Sequence, residues 1–212
     1  MSASLVRKFE TGSIRRAETS DMDQIVDVHT KAFPDSFLTL LGPRFLTFYY
    51  RLLWSDPGGI LLVHENLRRI DGFVAGFLRP KEFYLRMRKT RWAMLRSLAV
   101  ALKDQPSLAG RVFYHVRRLM LGKTREHRDE AELSSLAVDP QAWGGGIGRS
   151  LVLVFLETAW SAGAHSIYLT TDATENTRTN LFYQRLGFQL RACFVQYRGR
   201  LLNEYVVHRN TK

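Results

Sequence analysis

Four glycines fall within five positions, at Gly144, Gly145, Gly146 and Gly148, just before an apolar stretch with helical spacing. Residues without a Cβ let the backbone approach an anion closely, and a helix start offers unbonded N–H groups at the positive end of its dipole. Three phosphate-binding patterns compete for this loop. A GxxxxGK[ST] nucleotide loop is excluded, because no Lys-Ser or Lys-Thr follows the glycines. A G-x-G-x-x-G dinucleotide fingerprint follows the first strand of a βαβ unit, with an acid about 20 residues on. Here Gly144, Gly146 and Gly148 read G-x-G-x-G and lie late in the chain, with too little sequence left for a second half of such a sheet. Two readings remain: a pyrophosphate held by successive backbone N–H groups, or a tight strand-to-helix turn with no ligand.

Cys193, the only cysteine, rules out an internal disulfide. Without a Cys/His cluster at ligand spacing it argues against a structural zinc, and no metal is expected. As a lone cysteine it is expected to be a buried apolar residue, and it lies in "RACFVQY", which reads as a strand. No His-Asn or His-Asp arrangement points to covalent catalysis through it. A reducing cytoplasm fits this cysteine usage.

The elements that must position the loop follow from periodicity. "SIRRAE" reads as a strand leading into the helix "TSDMDQIVDVHTKAF", with Thr19 or Ser20 as its cap and Ile25, Val26, Val28 and His29 on or near one face. "GPRFLTFYYRLLWSDPGG" predicts a helix that Pro43 starts and a Gly-Pro signal stops. "GILLVHE" and "IDGFVAGFLR" predict a hairpin turning at 66–69. "KEFYLRMRKTRWAMLRSLAVALK" and "SLAGRVFYHVRRLMLGK" look helical. The strand "AELSSLAV" precedes the glycines, and "GRSLVLVFLETAWSAG" follows them as a helix. A further strand, "HSIYLTTDA", a helix ended by Gly187, and a closing pair of strands complete the chain. The order describes one mixed α/β domain over 1–212, with a mostly antiparallel central sheet, flanking helices and a basic helical insertion at about 79–130.

The neighbours of the glycines carry a resemblance. "LAVDPQAWGGGIGRSLV" resembles the acyl-CoA-binding motif of the GNAT superfamily of N-acyltransferases, whose Q/R-x-x-G-x-G/A pattern is met by Gln141, Gly144 and Gly146. "NTRTNLFYQRLGF" is similar to that superfamily's second motif, with Asn176 early in the helix and Tyr183 ahead of Leu186, Gly187 and Phe188. Spacing and order agree over 132–188, and "IRRAETSDMDQI" is similar to the family's opening strand and helix. Two positions depart: Trp143 replaces a usually polar residue, and Thr179 a usually small one.

The resemblance implies acetyl-CoA, or another acyl-CoA, as co-substrate. Leu136, Ala137 and Val138 would splay from the neighbouring parallel strand at a bulge and offer backbone N–H groups to the thioester and pantetheine. Gln141, Gly144, Gly145, Gly146, Ile147, Gly148 and Arg149 would hold the pyrophosphate. Trp143 would pack on the CoA or close a subunit contact, and Asn176 would bond the pantetheine arm or order the site. Tyr183 matches a general acid that protonates the CoA sulfur, against the alternative of an aromatic packed between helix and sheet. Glu132, at the start of a strand, is the candidate base; Asp172 is the other carboxylate near the cleft, and a water chain is the third route. His29 and Asp35 can meet the acceptor or be a helix-face histidine and a solvated acid. The implied reaction is direct attack of a primary amine on the thioester in a ternary complex.

The acceptor side is marked by charge. The chain carries a formal +11, and residues 79–128 hold 14 Lys and Arg against 3 Asp and Glu, while the remainder is balanced. Phe83, Met87, Trp92 and Leu95 interleave there with Arg86, Arg88, Lys89 and Arg91. Such a segment suits an anionic membrane surface, a lipid- or nucleotide-linked amino-sugar acceptor, or plain solvent. Nucleic acid is disfavoured, since no recognised binding module accompanies the charge. "AFPDSFLTLLGPRFLTFYYRLL" resembles a bacterial subgroup of the family associated with surface polysaccharide. A cytoplasmic monomer or homodimer, resting on the inner membrane face, is the expectation, as the chain shows no signal-peptide pattern and no apolar run of about 18 residues. A protein or peptide N-acetyltransferase and a catalytically silent acyl-CoA-binding module stand as the alternatives.

Overall fold

Two adjacent apolar runs build the centre of the sheet. In the computed structural model, which describes residues 12–90, 110, 130–196 and 199–209, β2 (Gly59–Asn66) and β3 (Arg69–Phe77) pair antiparallel. Ile60 and Leu62 face one helical layer, and Leu61 and Val63 the other. A strand covered on both faces needs apolar side chains at successive positions, which is why this stretch reads as continuous rather than alternating. The hairpin turns through Leu67 and Arg68, with φ of 49° and 65°, the positive pair that suits the twist of a two-residue connection.

The sheet has seven strands in the order β1-β2-β3-β4-β5-β7-β6. Its other members are β1 (Ser13–Arg16), β4 (Glu130–Val138), β5 (Ser166–Asp172), β6 (Gln189–Val195) and β7 (Leu201–His208). Every pairing is antiparallel except β4 with β5. One face is covered by α1 (Met22–Ala32), α3 (Pro43–Ser55) and α4 (Pro80–Lys89), around Leu46, Tyr50, Phe73, Phe77 and Phe83. The other is covered by α5 (Ile147–Ser161) and α6 (Thr177–Arg185), around Phe155, Leu156, Tyr183 and Tyr205. Among the described residues no helix is long and apolar enough to cross a membrane.

Three expectations change. Neither Thr19 nor Ser20 caps the first helix: they form a single 3-10 turn, Thr19–Asp21, closed by reciprocal bonds between Glu18 and Asp21. Asp21 also takes both arms of Arg15 from β1, so the cap is an ion pair as well as a turn. The short helix α2 (Phe37–Leu40), which Ser36 caps, has no counterpart in the periodicity reading. Cys193 is exposed rather than buried, because β6 is an edge strand bonded only to β7. The basic helical insertion is present in its first part as α4; the rest of that expectation lies outside the described residues.

Gly76 of β3 has no room for a side chain: a Cβ there would collide with the Glu132 carbonyl and the Phe155 ring. Gly76→Ala is expected to cost about 3 kcal/mol by overpacking, read as a lower urea midpoint with an unchanged slope; an unshifted midpoint would contradict the close approach.

Candidate active site

β4 and β5 run parallel for only three register pairs, Glu130, Ala131 and Glu132 against Ser166, Ile167 and Tyr168. Beyond them β5 continues with β7 and β4 with β3, so the sheet opens into a wedge. β4 carries a bulge: Ala75 faces Ser135 and Gly76 faces Leu133, leaving Ser134 extra. A bulge bends its strand and sharpens the local twist, and this one sits where the two strands part. Ser134 and Ser135 both turn towards α3, where Tyr49 meets Ser134 at 2.7 Å and Tyr50 meets Ser135. From residue 133 to Val138 the β5-facing edge of β4 has no strand partner.

The glycine loop closes the open end of the wedge. Gly144 and Gly146 have φ of 90° and 87°, which glycine adopts without strain. Gly146 offers no side-chain cap to α5, whose first intrahelical bond runs from the Ser150 N–H to the Gly146 carbonyl. The N–H groups of Ile147, Gly148 and Arg149 therefore project beyond the helix end, an arrangement that favours anions. The Ile147 side chain is buried and Gly148 lies against Val138 and Phe182, so both contribute backbone only. Gln141 is exposed, and its N–H is bonded to the buried Asp139 carboxylate. That bond and Arg69 hold the Asp139 carboxyl below the usual carboxylate range. Trp143, 56% exposed, donates its indole N–H to the Val138 carbonyl at 2.9 Å, and the Arg178 guanidinium lies 5.5 Å from its ring centre.

On the same face, α6 is tied to the end of β5 by asparagines. Asn176 donates to the Thr171 hydroxyl at 2.7 Å and to the Asp172 carbonyl at 3.3 Å. Asn180, which sequence reasoning missed, donates to the Asp172 and Asn176 carbonyls and accepts from Asn203. Its spacing of four from Asn176 was the available signal. Tyr183 is 6% exposed, and its hydroxyl makes no hydrogen bond among the described residues. Burial pushes this phenol well above its usual range, so it is protonated at neutral pH.

Glu132 lies on the opposite face. Its carboxylate accepts from the Tyr84 hydroxyl at 3.1 Å and from Tyr168 at 2.8 Å. Both phenols are pushed up by burial and by the Glu132 charge, so they act as donors. Thus the structure brings the loop, Asn176 and Tyr183 together on one side of the wedge and sets Glu132 on the other. Asp172 is held by both arms of Arg200, away from Glu132. Asp35 is exposed. His29 is 3% exposed, bonded to Tyr50 at 2.7 Å and to Ser36 at 3.3 Å inside the α1 and α3 layer. It is therefore a satisfied core histidine.

The model described as the acetyltransferase (GNAT) family matches residues 22–188. A mycothiol acetyltransferase of Pseudarthrobacter chlorophenolicus is 37% identical over 62 residues, covering 29% of this chain and 19% of that protein. The chain thus spans about a fifth of that relative's length. Among solved structures, ribosomal-protein-alanine N-acetyltransferase from Brucella melitensis is similar with a TM-score of 0.63 at 18% identity, over 92% of this chain and 99% of that one. A Salmonella typhimurium protein, yncA, determined with its cofactor acetyl-CoA, gives 0.59 at 16% identity over 94% of each chain. An aminoglycoside 6'-acetyltransferase type Ii gives 0.61 at 14% identity, over 92% of this chain and 96% of that one. These structures share the fold.

The buried imidazole makes stability depend on pH. Burial lowers its pKa from 6.5 to about 4, so between these values the unfolded chain binds a proton that the folded chain refuses. Stability is then full above pH 6.5 and falls as the pH drops towards 4, by about 3 kcal/mol across the window. Urea unfolding at a series of pH values checks this: His29→Gln is expected to flatten the slope in that window, and an unaltered slope would assign it elsewhere.

Proposed function

The chain belongs to the GNAT acetyltransferase family, and from this premise we propose that it is an N-acetyltransferase that moves an acetyl group from acetyl-CoA to a primary amine by direct attack. The observation that carries the proposal is the wedge between β4 and β5, with a glycine loop and a bare helix start at its open end. The residues fit such a co-substrate. The N–H groups of Ile147, Gly148 and Arg149 suit a pyrophosphate, with Gly144, Gly145 and Gly146 allowing its approach. The unpaired edge at Leu136, Ala137 and Val138 suits the amides of a pantetheine arm, which would add as a strand does.

In the reaction the amine nitrogen bonds to the thioester carbon, the C–S bond breaks, and the amine gives up a proton. Backbone N–H groups on the free edge of β4 favour the oxyanion. We assign the departing sulfur to Tyr183, supported by its buried hydroxyl with no competing bond among the described residues. A thiol with a pKa near ~8.5 is a stronger acid than this phenol. Tyr183 therefore acts chiefly by donating a hydrogen bond to the thiolate. Glu132 is assigned as the base, supported by its place on the opposite face at the apex. Two phenol hydroxyls already donate to its carboxylate, so it meets the amine proton directly or through water.

Tyr183→Phe is expected to lower kcat and kcat/KM together by about a hundredfold, with CoA affinity retained. Glu132→Gln should lower kcat/KM by about a hundredfold. Wild-type rates for both variants would refute the assignments. Failure of the wild-type chain with amino-sugar, peptide and small-amine panels would favour a silent acyl-CoA-binding module.

For the acceptor we propose a small amino-sugar-like amine carried on a lipid phosphate or nucleotide, presented to a cytoplasmic enzyme at the inner membrane face. The basic excess of 79–128 supports this, as does α4, which brings Tyr84 onto Glu132. The full chain is expected to sediment with vesicles containing phosphatidylglycerol at low salt, to be released near about 0.5 M salt, and to ignore phosphatidylcholine vesicles. Equal behaviour with both vesicles would overturn the membrane assignment, and activity confined to peptides would replace the sugar with a protein amine.

A further inference from the structure

The two edges of the sheet differ in how they are guarded. An edge strand presents unpaired N–H and C=O groups, and short length, charge or irregularity normally keeps another strand away. β1 is a short strand that carries the exposed Arg16, with Arg15 beside it paired to Asp21 and Glu65. β6 is longer, and among the described strands it is bonded only to β7. It holds no proline, lysine or acid. Its one charge, Arg191, sits at a bulge and turns inward to Glu130 and Glu204. The regular stretch that follows, 192–195, is uncharged.

Apolar surface lies along the same edge. Leu190, Cys193 and Val195 stand opposite Tyr205, Asn203 and Leu201 of β7, so alternation puts them on one face of the sheet. That face is the one α6 packs on, since Asn203 bonds Asn180. Leu190, Val195 and Leu201 are nevertheless 53%, 66% and 36% exposed, and Cys193 is exposed with them. Arg200, next to Leu201, is already held by both arms to Asp172.

What can cover this edge follows from charge. The chain carries a formal +11, so two copies repel and meet most readily where neither adds an unpaired charge. The β6 edge meets that condition, because both arginines there are paired with carboxylates. A two-fold axis also makes such an edge its own complement: the strands run antiparallel, and the apolar side chains of both copies fall on one face, side by side.

We propose that β6 is the interface through which two copies of this chain pair, edge to edge and antiparallel, joining their seven-stranded sheets into one. The strand backbones supply hydrogen bonds, and Leu190, Val195 and Leu201 of the two copies cover one another. The pairing requires neither acyl donor nor acceptor, so it stands independently of the chemistry assigned to the wedge.

Sedimentation velocity of the full chain over a concentration series tests the proposal. The sedimenting mass is expected to rise from that of one chain to that of two, with half-association on the order of 10 µM, as a small interface gives. Added salt should strengthen the pair by screening the repulsion between like-charged copies. Cys193, the only cysteine, takes a nitroxide label, and the two labels should lie within about 20 Å of each other, as neighbouring strands require. Leu190→Lys combined with Val195→Lys should move association to at least about tenfold higher concentration while keeping the thermal midpoint of dilute protein. Leu153→Lys, at an exposed leucine of α5 away from this edge, should leave association unchanged. A wild-type chain that stays single up to roughly 200 µM would overturn the proposal. So would more distant labels, dissociation by salt, a double variant that associates like wild type, or equal loss of association in Leu153→Lys.

Discussion

The structure depends on how briefly β4 and β5 are joined. Three register pairs hold them, and both strands then stay loyal to their other neighbours. Parting two strands in the middle of a sheet leaves backbone donors and acceptors without partners, a cost tolerated only where something else takes them up. The bulge at Ser134 makes the parting geometric rather than accidental, because an extra residue on β4 turns it with β3 and away from β5. Consecutive tyrosines of α3 then satisfy the two serines that the bulge brings to one face.

The closed end of the wedge is pinned by charge. Arg191 of β6 bonds Glu130 on β4 at 2.6 Å and Glu204 on β7 at 3.0 Å, with its guanidinium over the Tyr168 ring. Ser166 of β5 adds a bond to Glu130. Four strands thus share one ionic cluster at the point where the sheet is still continuous. Such a cluster contributes less to stability than its bond count suggests, since burying the charges costs nearly what pairing them returns. Its value is geometric, because it holds the apex where Glu132 and Tyr168 meet.

Much of this was legible in the sequence, and the remainder was hidden for a physical reason. The glycine loop, the helix behind it, the Gly187 stop and the hairpin all follow from signals within a few residues of each other, where backbone conformation and side-chain periodicity act directly. The bulge, the Tyr49 bond to Ser134 and the phenols on Glu132 join positions 36 to 85 residues apart. No local pattern encodes such contacts. Trp143 belongs to both groups: its departure from the family pattern was visible, but its bond to the Val138 carbonyl becomes apparent only when strand and loop fold together. Cys193 is of a residue type that is most often interior, whereas its exposure depends on the place of β6 at the sheet edge, which no local pattern encodes.

Tyr183 and Glu132 stand on opposite sides of the sheet, and this separation has an evolutionary consequence. The loop, α5 and α6 that flank Tyr183 come from one contiguous stretch of the chain, whereas the helices on the Glu132 side, with Tyr49, Tyr50 and Tyr84, come from segments that precede it. The two helical layers pack on the same strands, so a change in one layer reaches the other through the sheet. Such a scaffold can vary its upstream layer by gradual change while the glycine loop and the two helices that follow it keep their own contiguous packing.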